Sequence, residues 1–519
     1  MRDGSVPDYD VIVIGSGLAG LVAGALCARL GLRCAVVEAA TQPGGYAGGR
    51  RSGPYSFDSA VSLSGQGAPG MIFDHVLGLL GVRDHCDFLP VDPAYAVYFP
   101  DLRFAAPSGR EPFLEAHVSA FPGDRAGIVR FFEICERLQL EAHELPPALS
   151  LVDTAAAAER FPTVMNHLLS TVGEATGALI DGQAARAVCT SMWPVTSLPP
   201  AQLSLITFGQ LLYCTIDGTF TCRGGFQTLI AALAAGLERH GGSLVLGRRV
   251  ERLSVEDGRV VGVQLAGGES LRASAVVSNA DGRTTYESLL GPDLVPPRVA
   301  RRLARLRPSL SAYILYAATS ADLGDRALAS ECLVYSSYDH DASYQELVAG
   351  HPGCLRVSIP TLLDPHLAPP GQHLVVARVP APYQGPRPWP ELRAHYRAQT
   401  LSQLDGIFPD FSRRLEFVED ATPSDLAETT GNQAGAAAGW EATPNQIGSR
   451  GLGPRSPVPG LYLAGQWTSG FSLLRTLTSG VHAAQMVAAD LGAAATLDLI
   501  SVPMAPSFDR MRRASRPSA

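Results

Sequence analysis

The sequence predicts an α/β protein in which a doubly wound, mostly parallel domain is interleaved with a mixed α+β domain. Three observations carry that expectation. Asp10-Val11-Ile12-Val13-Ile14 is a β-branched apolar run without polar alternation, the pattern of a strand buried on both faces of a parallel sheet. It leads into Gly15-Ser16-Gly17-Leu18-Ala19-Gly20, a G-x-G-x-x-G turn opening a stretch of good helix formers that closes at Gly31, a suitable C-cap. Cys34-Ala35-Val36-Val37-Glu38 then resumes strand character and completes a strand-helix-strand unit of Rossmann type. With 519 residues, 46% of them hydrophobic, the chain has the material for a large core and two interleaved domains.

The Gly-, Ser- and Pro-rich stretch through about Phe104 reads as loops with short helices around Met71 to Leu80. From Phe113 to Leu212 apolar residues such as Ile128, Phe131, Phe132 and Leu138 recur at helical spacing. After Arg223-Gly224-Gly225 a helix is expected over 226–240, then strands over 243–246, 250–255 and 260–265. Asp257-Gly258 predicts a tight hairpin between the last two, because both centres of a type I′ turn need positive φ. Ala275 to Asn279 is a second buried-strand pattern. Ala312 to Tyr316 and Leu374 to Ala377 suit a sheet flooring a cavity. A strand over 460–465 and a helix over 480–491 close the fold. The first domain is assigned to 1–110, 218–300 and 430–495, and the second to 111–217 and 301–429. Residues 496–519, with Arg510, Arg512, Arg513 and Arg516 among Ser and Pro, read as a flexible basic tail, or as a weak contact with a membrane surface.

Composition removes several function classes. A formal charge of −8 gives no cationic footprint, so nucleic acid is not expected as a partner. All 41 basic residues are arginine, so the chain offers no Walker lysine and no Schiff-base lysine. The nine cysteines include no C-x-x-C pair and are odd in number, which fits free thiols in a reducing compartment and a cytoplasmic setting. No H-E-x-x-H occurs and the histidines are scattered, so no metal is expected. No signal peptide is read and no apolar run reaches the roughly 20 residues of a membrane span. Oligomeric state is not legible.

The glycine turn carries the chemistry. Gly15 permits the tight turn, Gly17 admits a pyrophosphate to the backbone, Gly20 lets helix and strand close up, and the helix N-terminus offers free N–H groups and a positive dipole end. Glu38, roughly twenty residues on, is placed to accept from ribose hydroxyls, and its charge disfavours a 2′-phosphate.

Beyond this unit, Pro43-Gly44-Gly45-Tyr46-Ala47, Arg50, Arg51 and Tyr55-Ser56-Phe57-Asp58 follow in order. Later come Arg223-Gly224-Gly225-Phe226, Val276-Val277-Ser278-Asn279-Ala280, Gly435 to Trp440, Pro459 to Gln466, and Ser479-Gly480-Val481-His482-Ala483-Ala484. In these segments the chain, from residue 9 to about 492, resembles the FAD-dependent phytoene desaturase, carotenoid isomerase and retinol saturase superfamily. The resemblance implies an amine-oxidase-like FAD-binding domain joined to a substrate domain. It implies that Gly15, Gly17, Leu18, Ala19 and Gly20 hold the pyrophosphate, Glu38 the ribose, and Gly44 and Gly45 the segment passing the flavin. Arg50 or Arg51 would serve the phosphate or flavin environment, or remain solvated on the surface. The main chain at Val250 would meet the adenine, Gly465, Gln466 and Thr476 the flavin side, and a helix starting near Ser479 would aim its positive end at the flavin pyrimidine.

Two departures stand out. Gln466-Trp467 follow Gly465 where many members have an acid, and Gln still hydrogen-bonds a ribityl hydroxyl. Ser469 to Thr476 replaces a usual Pro and Gly run, which makes Arg475 the candidate catalytic or substrate-anchoring residue, with an internal ion pair as its other reading. Trp193, Tyr213, Tyr313 and Tyr316 are candidates for either cavity wall or core, and no general base is legible. The expected reaction is C=C formation in a hydrophobic isoprenoid or polyene taken from a membrane or carrier. A redox-neutral isomerase, a saturase, an amine or amino-acid oxidase, and a flavin-free lipid-binding protein like the Rab GDP-dissociation inhibitors are the alternatives.

Overall fold

The structure, a computed structural model, describes residues 7–67, 69–144, 154–324 and 326–493; the predicted tail at 496–519 lies outside the described residues. Tyr9–Ile14 forms a strand whose last four residues are buried, and Gly15 turns the chain at φ +92° into the helix Leu18–Arg29, buried from Leu18 through Ala28. Gly31, at φ +83°, ends it in the left-handed region, as its sequence position predicts. Tyr9–Ile14 is central in a seven-stranded sheet among the described residues. It pairs in parallel with Cys34–Val37 on one side and Ser270–Ser278 on the other, Val11 opposite both Cys34 and Ala275. Ser243–Val245 extends the sheet beyond Cys34–Val37, and Leu461–Leu463 joins Ser270–Ser278 in parallel. Arg259–Leu265 and Val250–Glu256 continue it antiparallel. Asp257 and Gly258 link them at φ +49° and +75°, the double positive φ their dipeptide predicts.

A second seven-stranded sheet runs in the order Leu415–Ala421, Ser311–Thr319, His373–Ala381, Cys354–Ser358, Glu331–Tyr335, Tyr95–Tyr98, Arg103–Ala106. Its last two strands correct the domain assignment. Residues 95–106 were expected in the first domain, but Ala96 to Tyr98 pair in parallel with Cys332 to Val334. Tyr95–Tyr98 pairs antiparallel with nearby Arg103–Ala106, but the partner that joins this hairpin to the second sheet lies more than 200 residues later. A helical layer including Arg125–Glu144 and Leu205–Ile216 covers this sheet.

The closing helix also differs from expectation. It runs from Leu473 to Asp490 and not from 480. Ser472, at φ +94°, caps it by accepting the Arg475 N–H at 3.3 Å. Ser479, near which the helix was expected to start, lies inside it with its hydroxyl accepting the Gly465 N–H at 2.9 Å. Among the described residues no helix is long and apolar enough to cross a membrane, no group of three acidic, histidine or cysteine residues forms a metal site, and the nine cysteines are free thiols.

Candidate active site

A cavity of about 640 Å³ lies between the two sheets, with walls from both. On the first-sheet side the glycine turn is built around close approach. A Cβ on Gly20 would stand 2.0 Å from the Gly15 carbonyl oxygen, so only hydrogen fits there. Gly17 lines the cavity with its backbone bare, and Gly44 meets it, donating its N–H to the Ser16 carbonyl at 3.1 Å. Leu18, Gly45, Val250, Gln466 and Thr476 also line the cavity, whereas Ala19 and Gly20 sit one layer behind.

Glu38 is held in place by its own neighbours. One carboxylate oxygen accepts the Ser16 N–H and hydroxyl, both at 2.8 Å, and the other accepts the Ala40 N–H at 2.8 Å. Each oxygen keeps acceptor capacity toward the cavity it lines. Tyr46 ties the Gly44-Gly45 segment to the loop before Trp440 through its hydroxyl, 3.2 Å from the Gly435 and Ala436 carbonyls. Asp281, buried and lining the cavity, accepts the N–H groups of Arg283, Thr284 and Gln433 and so fixes the two segments flanking it. Its burial raises its pKa.

Asn279 is the residue whose role the sequence did not show. Its amide nitrogen lies 2.7 Å from where a Gly17 Cβ would be, and its amide oxygen 2.5 Å from where a Gly465 Cβ would be. One side chain thus fills the space left by glycines 448 residues apart. The signal was present as an amide at the end of a buried strand. Nothing local indicated that it serves two glycine motifs at once.

Three arginines move away from their expected place. Arg50 pairs with Glu419 and stacks over the Tyr316 ring at 5.3 Å, while Arg51, next to it on the same strand, is exposed. Neither lines the cavity. Arg475 is also absent from the wall that Phe471, Ser472, Leu473, Leu474 and Thr476 build. It turns back toward Gly470 and Cys214, and burial lowers its pKa. Trp193, Tyr213, Tyr313 and Tyr316 are core, at most 4% exposed and off the cavity wall.

The second-sheet wall carries Ile314, Glu331, Leu333, Arg356 and Arg378. Behind it, burial raises the Asp58 carboxyl to about 7 while its oxygen accepts the Phe226 N–H at 2.7 Å. The folded protein therefore holds a proton that the unfolded chain releases near pH 4, so Asp58 ionisation erodes stability as pH rises from about 4 through 7. Asp58→Asn, whose amide oxygen still accepts the Phe226 N–H, is expected to flatten that part of the slope. Urea midpoints for both proteins at half-unit pH steps check it; parallel curves would assign the slope to other groups.

A bare-backbone glycine cradle at a helix N-terminus, a carboxylate fixed beside it and a second glycine motif facing both define a dinucleotide-binding fold. Residues 18–488 match the flavin containing amine oxidoreductase family, and the chain belongs to it. The phytoene dehydrogenase of Streptomyces griseus is 29% identical over 507 residues, 93% of this chain and 95% of that protein. The all-trans-retinol 13,14-reductase of Macaca fascicularis is 25% identical, covering 89% and 82%. Prolycopene isomerase 1 of an Oncidium hybrid cultivar is 25% identical, covering 93% and 84%. Putrescine oxidase shares the fold, with a TM-score of 0.65 at 15% identity over 93% of this chain and 99% of that one. The cofactor is FAD. Gly17, Gly44 and Glu38 line the cavity that would take it, whereas Gly465 is off the wall, the space beside its backbone filled by Asn279.

Proposed function

We propose that the protein desaturates a hydrophobic isoprenoid or polyene, removing two hydrogens from adjacent carbons. Bound FAD supplies the acceptor for the electron pair. The observation that carries the reading is the cavity's composition: one end is the glycine cradle, and beyond it the wall is mostly apolar, with Met192, Leu211, Ile314, Leu333 and Phe471 excluding water from an extended chain around the charged Glu331, Arg356 and Arg378. The helix beginning at Leu473 sets its positive end at this wall, where it favours negative charge developing on a bound group. A relative named phytoene dehydrogenase, matched along nearly its whole length, supports the same chemistry.

The relatives named as an isomerase and a reductase share the coverage, so rearrangement and saturation of C=C bonds are the second reading. Anaerobic mixing of the holoenzyme with phytoene and other isoprenoid polyenes tests the proposal. Bleaching of the flavin band with a product lighter by two hydrogens is expected. A product of unchanged mass assigns isomerisation; with the flavin reduced beforehand, a heavier product assigns saturation; and in a separate aerated assay, peroxide release on amines assigns an amine oxidase.

A further inference from the structure

We propose that the substrate's apolar chain carries a carboxylate, received by Arg378 with Arg356 beside it on the second-sheet wall. This rests on the reading of the cavity as a site for a hydrophobic substrate and adds the group that fixes its orientation.

Four residues form one row across three neighbouring strand pairs. Ile314 stands opposite Arg378, Arg378 opposite Arg356, and Arg356 opposite Leu333, and all four line the cavity. Like charges directly opposite on adjacent strands oppose pairing. Arg356 is partly compensated, its Nε donating to Glu331 at 3.2 Å and its Nη2 to the Ser62 hydroxyl at 3.1 Å. Arg378 has no such carboxylate among the described residues. Its Nη1 donates to the Ser358 hydroxyl at 2.7 Å, which itself donates to Ser62 at 2.9 Å. Its Nε and Nη2 have no hydrogen-bond partner, although the residue is only 6% exposed.

Those two nitrogens form one edge of the guanidinium, the edge that a carboxylate takes with two parallel hydrogen bonds. A buried donor pair left unmatched is costly, and a buried charge more so. Burial already pushes the Arg378 pKa down to about 10, Arg356 beside it acts the same way, and Glu331 and Asp58 act against both without hydrogen-bonding Arg378. An anion at this edge satisfies both donors and offsets the cross-strand repulsion. A protonated amine there meets two guanidiniums, which opposes an amine substrate.

Calorimetric titration of the FAD-loaded protein with decanoate, decanol and decyl phosphate tests the assignment. Decanoate is expected to bind at least about tenfold more tightly than decanol, the range for hydrogen bonds to a charged group. Arg378→Met should erase that preference, and Arg378→Lys should keep only part of it, both with flavin content near one per chain. Equal binding of acid and alcohol by the unmodified protein overturns the proposal. So does tighter binding of decyl phosphate, or an acid preference surviving in Arg378→Met. Flavin loss from an Arg378→Lys protein of native circular dichroism also overturns it, because it places the arginine against the cofactor. The unmodified protein's acid preference needs no turnover, so it stands or falls separately from the desaturation reading.

Discussion

Gly17→Val is expected to yield folded protein with almost no flavin. Gly17 has φ −63° and ψ 171°, a conformation valine adopts without strain, so backbone geometry is not the obstacle. The obstacle is space. A Cβ would reach within 2.7 Å of the Asn279 amide, which is the end of a side chain and can shift, but the branched methyls would occupy the surface where the pyrophosphate meets bare backbone. The helix N-terminus would keep its dipole and lose access to its anion. The ratio of visible flavin absorbance to protein absorbance measures this directly. A variant that purifies with one flavin per chain would remove the fingerprint from the binding site.

The second large effect belongs to Gly480→Val, which is expected to destabilise the protein by about 3 kcal/mol or more. Here the helix Leu473–Asp490 crosses the helix Leu18–Arg29. A Cβ would stand 2.5 Å from the Ala19 carbonyl oxygen, 3.1 Å from the Ala19 Cα and 3.0 Å from the Val22 Cβ. Backbone cannot rotate aside as a side chain can, so the two helices must separate. Separation also lifts Ser472 to Leu474 from the cavity wall and strains the Ser479 contact to Gly465, so flavin affinity should fall with stability. Gly480→Ala should show the same two losses at smaller size. An unchanged denaturation midpoint in the valine variant would mean that the crossing has slack.

What the sequence revealed and what it concealed divide along the same physical line. The Tyr9–Ile14 strand, the glycine turn and Glu38 are close in the chain and obey local rules of periodicity and φ, so a dinucleotide-binding unit and the fold class were readable there, while FAD itself was implied only by the resemblance of the longer series of motifs. Asp257-Gly258 was readable for the same reason. Arg356 and Arg378 were not, because each sits alone in an ordinary strand, and only cross-strand register makes them a pair. Asn279 was hidden similarly, its meaning supplied by Gly17 and Gly465 from opposite ends of the chain. Arg475 shows the converse error: its neighbours in sequence do line the cavity, and one step of helical rotation, about 100°, turns its side chain away.

The placement of Tyr9–Ile14 also sets an order of events on the ribosome. This strand emerges long before its partner on one side, Ser270–Ser278, which is synthesised about 260 residues later. At roughly 5–20 residues per second the wait is on the order of tens of seconds. During that interval an apolar strand with an open hydrogen-bonding edge is available to other chains, an aggregation hazard. The Leu461–Leu463 strand and the helix behind it come later still, so FAD capture must be nearly the last act of folding. Limited flavin supply during expression should therefore appear as soluble apoprotein rather than as insoluble protein, as for the Gly17→Val variant, a difference that riboflavin supplementation of the growth medium would expose.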